Sequence, residues 1–203
     1  MYTLHYLPDA CSLATQVILR ELNQPVRLVE RQDMADFSVL NPVGAVPVLI
    51  DGERVLREGA AIILYLLDKH DNALMPTEPE AKSRAIENLL FANATMHPAY
   101  GRLFFNADHL ADGPEKTKAF AAAANAINHL WDVVEQKLEQ QDFLGGDKVS
   151  AADILLAVYA RWGEFFPVDI RIGEKTTRML NSVMQLESFR LSLEAEKAGS
   201  AAA

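Results

Sequence analysis

The hydrophobic rhythm of the chain changes once along its length. Over about the first 75 residues it mixes periods of two and of 3.6, as α/β units do. Tyr2-Thr3-Leu4-His5-Tyr6-Leu7 alternates and predicts a strand, which Pro8-Asp9 breaks. Ser12 is the expected cap of a helix carrying Leu13, Val17, Leu19 and Leu22 and ending near Asn23 and Pro25. Val26 to Glu30 predicts a second strand and so a right-handed βαβ unit. After a polar loop, Val46-Pro47-Val48-Leu49-Ile50, the turn pair Asp51-Gly52 and Glu53 to Leu56 predict a β-hairpin. A helix from Gly59 to Lys69 follows, apolar almost all round and therefore expected to be sandwiched. The order β-α-β then β-β-α is thioredoxin-like, and the domain is expected over residues 1–76.

Met75-Pro76-Thr77-Glu78-Pro79 reads as a linker at a domain boundary. From residue 80 to residue 203 no strand pattern is visible, so an all-helical second domain is expected. One long helix is predicted over Glu80 to Asn106, bent at Pro98, and another over Glu115 to Gln141 with Ile127, Leu130, Val134 and Leu138 in one stripe. Gly145-Gly146 marks a turn before a third helix, Ser150 to Trp162, and two shorter helical segments follow Pro167. Ala198 to Ala203 reads as a featureless, frayed tail.

Length and composition narrow the function classes. A chain of 203 residues, half of them hydrophobic, can bury a core without covalent staples. With 19 basic and 28 acidic side chains the net charge is -9, which disfavours nucleic acid and anionic membranes as partners. No apolar run approaches the roughly 20 residues of a membrane helix, and Met1 to Tyr6 lacks the features of a signal peptide, so a cytoplasmic protein is expected. The single cysteine, Cys11, excludes an internal disulfide and a zinc site of paired thiolates. Any thiol chemistry at Cys11 needs a sulfur from outside the chain.

Three places carry candidate chemistry. Cys11 lies between a strand end and a helix start, where free N–H groups and the helix dipole favour a thiolate; a small buried hydrophobe is the alternative. Tyr6 and Ser12 are nearby hydroxyls able to donate to a bound thiolate, although Ser12 also suits a plain cap and Tyr6 a plain strand residue. Pro47 cannot donate a ladder hydrogen bond, and a cis bond before it turns the Val46 main chain outward, where an extended peptide can pair as an added strand. A turn proline at an edge strand is the alternative. Glu58 with the Gly59 and Ala60 amides can grip a zwitterion, the carboxylate taking an ammonium and the amides a carboxylate; alternatively Glu58 is only a favourable charge at a helix start.

Tyr6, Ala10-Cys11-Ser12, Asn41 to Gly44, Val46-Pro47 and Glu58 to Ile62 fall in the order and spacing of the glutathione transferases, and the chain most resembles the bacterial beta class. Ser150-Ala-Ala-Asp153 resembles the capping box opening that family's buried sixth helix, and His97-Pro98-Ala99-Tyr100 and Arg161-Trp162 resemble segments facing its active site.

The resemblance implies a thioredoxin-like N-terminal domain, an all-α C-terminal domain and a homodimer. Glutathione is then the co-substrate, with no metal or nucleotide required, and the other substrate is a small hydrophobic electrophile. Val46 would pair with the cysteinyl part of glutathione beside a cis Pro47, and Glu58 and Gly59 would hold its γ-glutamyl end. Cys11 would sit beside the glutathione sulfur, with Tyr6 and Ser12 near, while His97, Tyr100 and Trp162 would line the second-substrate pocket. A Cys-type transferase is expected to conjugate glutathione and to have the means for thiol–disulfide exchange through Cys11. The alternative is a protein of this fold that binds glutathione, a ligand or a partner without turnover. Asp9 and Pro98 motivate it, because each departs from residues the family often carries there; Leu90 is a further departure that bears on glutathione use.

Overall fold

The structure, a computed structural model, describes residues 1–201. Its contacts divide the chain into two compact units, Pro76–Val183 on the one hand, and Met1–Met75 with the chain from Met184 onward on the other.

In the first unit, strand β1 (Tyr2–Tyr6) leads to helix α1 (Ser12–Glu21) and strand β2 (Val26–Glu30), which runs parallel to β1 from Tyr2↔Val26 to Tyr6↔Glu30. Two short 3₁₀ turns occupy the polar loop. Strand β3 (Val48–Asp51) pairs antiparallel with β1 and with β4 (Arg54–Arg57), giving the sheet order β2-β1-β3-β4. Helix α2 (Gly59–Lys69) closes the βαβββα module with the predicted bounds. The hairpin strands lie one to two residues later than the sequence pattern places them. Val46 and Pro47 precede the ladder, and the bond between them is cis.

Burial in this unit departs from the sequence pattern in two ways. Helix α2, expected to be sandwiched, buries Ala60, Ile62, Ile63, Leu66 and Leu67 but exposes Ala61. It is α1 that is covered on more than one side: every residue from Ser12 to Leu19 is buried, Thr15 and Gln16 included. The cause is helix α8 (Glu187–Ala201), which packs on α1 while α2 packs on it too. The supposed tail is therefore helical through Ala201, and Ala202 and Ala203 lie outside the described residues.

The second unit is helical. The expected long helix consists of α3 (Pro79–Leu90), a π-helical stretch Phe91–Met96 and α4 (His97–His109). Pro98 has no N–H to give the carbonyl four residues back, and the wider π winding just ahead of it accommodates that loss without ending the helix. Helix α5 (Pro114–Lys137) packs along α4. Helix α6 (Ala151–Ala160) is buried from Ala151 to Tyr159, as a helix without a polar face should be, and a 3₁₀ turn continues it over Arg161–Phe165. Its start is fixed by a capping box. Asp153 accepts the Ser150 N–H at 2.8 Å and the Leu144 N–H at 2.9 Å, while the Ser150 side chain takes the Asp153 amide. Helix α7 (Glu174–Met184) is capped by Glu135 of α5, which accepts from the Lys175 and Thr176 amides.

Candidate active site

Cys11 is seated by the turn that joins β1 to α1. Asp9 adopts a left-handed φ of 57°, and the Ala10 amide returns to the Leu7 carbonyl at 3.3 Å. Cys11 itself, not Ser12, occupies the cap position. Ser12 is fully buried, and its hydroxyl donates to the Leu7 carbonyl at 3.2 Å while accepting the Leu7 N–H at 3.3 Å. It ties the turn together from inside. The half-buried Cys11 thiol donates to the Val46 carbonyl at 3.3 Å.

The electrostatics at Cys11 differ from the sequence expectation of a favoured thiolate. Burial pushes the thiol up to about 11; hydrogen bonding from the Cys11 and Ser12 amides pulls the other way, and the negative charge of Glu58 adds to the rise. Desolvation of the anion outweighs the helix start. In this resting arrangement Cys11 is an S–H donor.

Val46 lies on the loop organised by Asn41. The buried Asn41 side chain donates to the Ala45 carbonyl at 2.7 Å and accepts the Val43 N–H at 3.2 Å, and Gly44 turns the chain with φ 74°. Among the described residues no hydrogen bond engages the Val46 N–H, which stands ahead of the β1–β3 register. Glu58 caps α2 with φ 67° and ψ 117°, a conformation that a side chain rarely adopts away from functional sites. Its carboxylate is exposed, and the first-turn amides after it, Gly59 and Ala60, have no partner within the helix. Main-chain acceptor, thiol, carboxylate and helix amides thus all belong to one unit. Tyr6 is 3% exposed, its hydroxyl lies against Gly199 of α8, and burial raises its pKa, with Glu30 and Glu196 adding to the rise.

In the helical unit His97 heads α4 and stacks among aromatic rings, 4.9 Å from Tyr159 and 5.1 Å from Trp162 between centroids. Burial lowers its pKa, so the ring is neutral at pH 7. Trp162 also meets Tyr100 edge-on at 6.0 Å and Phe104 at 5.6 Å. Tyr100 is fully buried and its hydroxyl accepts from the Trp131 indole at 2.9 Å, which turns it into the bundle. Phe104 continues the cluster toward Phe165 and Phe166, and Phe104 and Phe165 are exposed. Sequence reasoning missed Tyr159, Phe104, Phe165 and Phe166. The pair Phe165-Phe166 before Pro167 was the available signal, since adjacent aromatics at a helix end are seldom both core. Among the described residues no group of three or more His, Cys, Asp or Glu could hold a metal ion, and no helix is long and apolar enough to cross a membrane.

A family model for the glutathione S-transferase N-terminal domain matches residues 14–76, and one for the C-terminal domain matches residues 91–185. The chain is 32% identical over 173 residues to glutathione S-transferase GST-4.5 of Xanthomonas campestris pv. campestris, a match covering 82% of this chain and 85% of that one. A glutathione S-transferase from Xylella fastidiosa has the same fold with a TM-score of 0.89 at 27% identity, covering 97% of this chain and 99% of that one. A beta-class glutathione S-transferase of Sphingomonas chungbukensis gives 0.82 at 28% identity, covering 96% and 98%.

Proposed function

The chain belongs to the glutathione S-transferase family, and from that premise we propose that it conjugates the glutathione thiolate to small apolar electrophiles, with Cys11 as the hydrogen-bond donor to that thiolate. The carrying observation is the Cys11 thiol on the Val46 carbonyl at 3.3 Å, at the mouth of α1. In this reading glutathione lies as an added strand against the Val46 main chain, and Glu58 with the Gly59 amide holds its γ-glutamyl end. A protonated Cys11 supports a donor better than a nucleophile; when glutathione binds, its single S–H turns from the Val46 carbonyl to the glutathione sulfur, freeing that carbonyl for the peptide. The glutathione sulfur then loses its proton to solvent, is stabilised by the donor, and displaces a leaving group from the electrophile. Tyr6 and Ser12 are assigned to holding β1 and the turn, and His97 and Trp162 to the surface met by the electrophile, with the fully buried Tyr100 backing Trp162 from inside the bundle. The protein is further proposed to work as a cytoplasmic homodimer in detoxification.

Thiol–disulfide exchange through Cys11 is the subordinate reaction. It needs the Cys11 thiolate to attack oxidised glutathione, forming a Cys11–glutathione disulfide and releasing glutathione thiolate. Two assays distinguish the readings: turnover of a chlorodinitroarene by protein retained on immobilised glutathione, and intact mass after oxidised glutathione. Conjugation that falls about tenfold or more in Cys11→Ala, with retention kept, supports the donor role. Glu58→Gln is expected to weaken retention by roughly tenfold, the loss of one charge-assisted contact. Retention without turnover in the wild type identifies a binding protein instead.

A further inference from the structure

The polar face of α8 is buried against the segment that carries Cys11. Ser192, Glu196 and Gly199 recur at intervals of four and three residues, hence on one side of that helix. Arg20 donates to the Ser192 hydroxyl at 3.1 Å, Gln16 donates to Glu196 Oε1 at 2.7 Å, and Glu196 Oε2 accepts the Asp9 N–H at 2.9 Å. Glu196 is 3% exposed, and a carboxylate so placed is stable only with its lone pairs engaged. Two of the groups it engages flank the cysteine: the left-handed Asp9 on one side and Gln16 of α1 on the other. Apolar packing would attach α8 equally well; a bond to a main-chain N–H also dictates where the turn sits.

We propose that Glu196 is a positioning residue for Cys11, clamping the Asp9 amide and the Gln16 side chain so that the thiol stays seated on the Val46 carbonyl. The clamp deepens the role given to Cys11 above and depends on that role only for its effect on turnover. It also predicts which substitution position 196 tolerates. Gln16 Oε1 has no partner among the described residues, so the Gln16 amide can turn over and accept from a glutamine at position 196. That glutamine's own Oε1 then keeps the Asp9 N–H. Alanine keeps neither bond.

Because Cys11 is the sole cysteine, alkylation by iodoacetamide against pH in the full chain reads its environment directly. Glu196→Gln is expected to reproduce the wild-type profile. In Glu196→Ala the loosened turn wets the thiol, and its inflection moves down from about 11 toward the ordinary thiol range. At pH 8 the thiolate becomes about a hundredfold more populated but less nucleophilic, so alkylation accelerates about tenfold. Ser192→Ala, which removes the neighbouring Arg20 rung and the hydroxyl's bond to the Ser188 carbonyl but neither Glu196 contact, is expected to lower the melting temperature and leave the profile alone. An unchanged profile in Glu196→Ala, or an equal shift in Ser192→Ala, overturns the proposal. If the alanine variant does not fold, Glu196→Asp, one methylene too short to reach both partners, takes its place: a lowered inflection supports the clamp and an unchanged one overturns it. No glutathione enters this assay, so its failure leaves the transferase reading standing, and a failed turnover assay leaves the clamp standing.

Discussion

At Cys11 two physical influences oppose each other, and their balance has a kinetic signature. Amide hydrogen bonds at the start of α1 favour the anion, whereas burial and the Glu58 charge disfavour it and prevail, leaving the thiol at about 11. At pH 7 about one molecule in ten thousand is then a thiolate. Formation of the mixed disulfide with oxidised glutathione is therefore expected to be slow at pH 7 and to rise roughly tenfold per pH unit to about pH 10. Mass spectrometry of timed samples measures this; a rate already level between pH 7 and 8 contradicts the buried, protonated thiol. His97 shows a simpler balance: burial among aromatic rings lowers its pKa and the ring stays neutral at pH 7. His97→Gln at the same site is expected to leave the pH profile of conjugation unchanged between 7 and 8, because a neutral ring has no charge to lose there.

Single elements depend on how their ends are satisfied. Helix α6 has almost no polar surface, so the capping box anchors its start. Asp153 is buried, and burial raises its pKa while three nearby amides, of Leu144, Ser150 and Gly145, pull it down. Asp153→Ala orphans the buried Leu144 and Ser150 amides, each costing about 1–3 kcal/mol. A loss of about 2–6 kcal/mol in urea unfolding is expected, with Asp153→Asn losing less because one acceptor oxygen survives. Gly173 plays a related part at α7, where a Cβ would lie 2.3 Å from the Glu135 carboxyl carbon. Gly173→Ala is expected to displace that carboxylate from the Lys175 and Thr176 amides and to cost roughly 1–2 kcal/mol, read as a lower unfolding midpoint.

For the whole molecule, each unit holds a histidine whose pKa is lowered: the buried His5 in β1, by burial and then by Arg27, and the half-buried His97 in α4, by burial. A lowered folded-state pKa means that the unfolded chain takes up more protons between the two values. The stability contributed by each neutral ring is thus complete above about pH 6.5 and declines as pH falls through the folded-state value. Urea midpoints of wild type are expected to drop from pH 7 to pH 5 more steeply than those of His5→Phe or His97→Phe. Parallel curves would show that the carboxylates alone carry the acid response.

Much of this architecture was legible in local pattern. The strand at Val26–Glu30 and the helix at Gly59–Lys69 were readable locally, the strand as a short, mostly apolar run after Pro25 and the helix as a run of Ala, Ile and Leu opened by Gly59. The capping box at Ser150 was also readable, since an orphan amide and the side chain that satisfies it are a few residues apart, whereas the cis bond before Pro47 was one of two local readings and followed only from the family resemblance. What the chain could not reveal by itself depended on distant neighbours. Gln16 looks like a solvent-facing residue until α8 covers it, more than 170 positions away. Cys11 looks like a thiolate until desolvation is counted, and desolvation is set by packing rather than by the helix it begins. The order of elements and their caps is a local, short-range matter that sequence determined; burial, and with it the charge state of the one cysteine, is a sum over the folded surroundings that only tertiary structure decided.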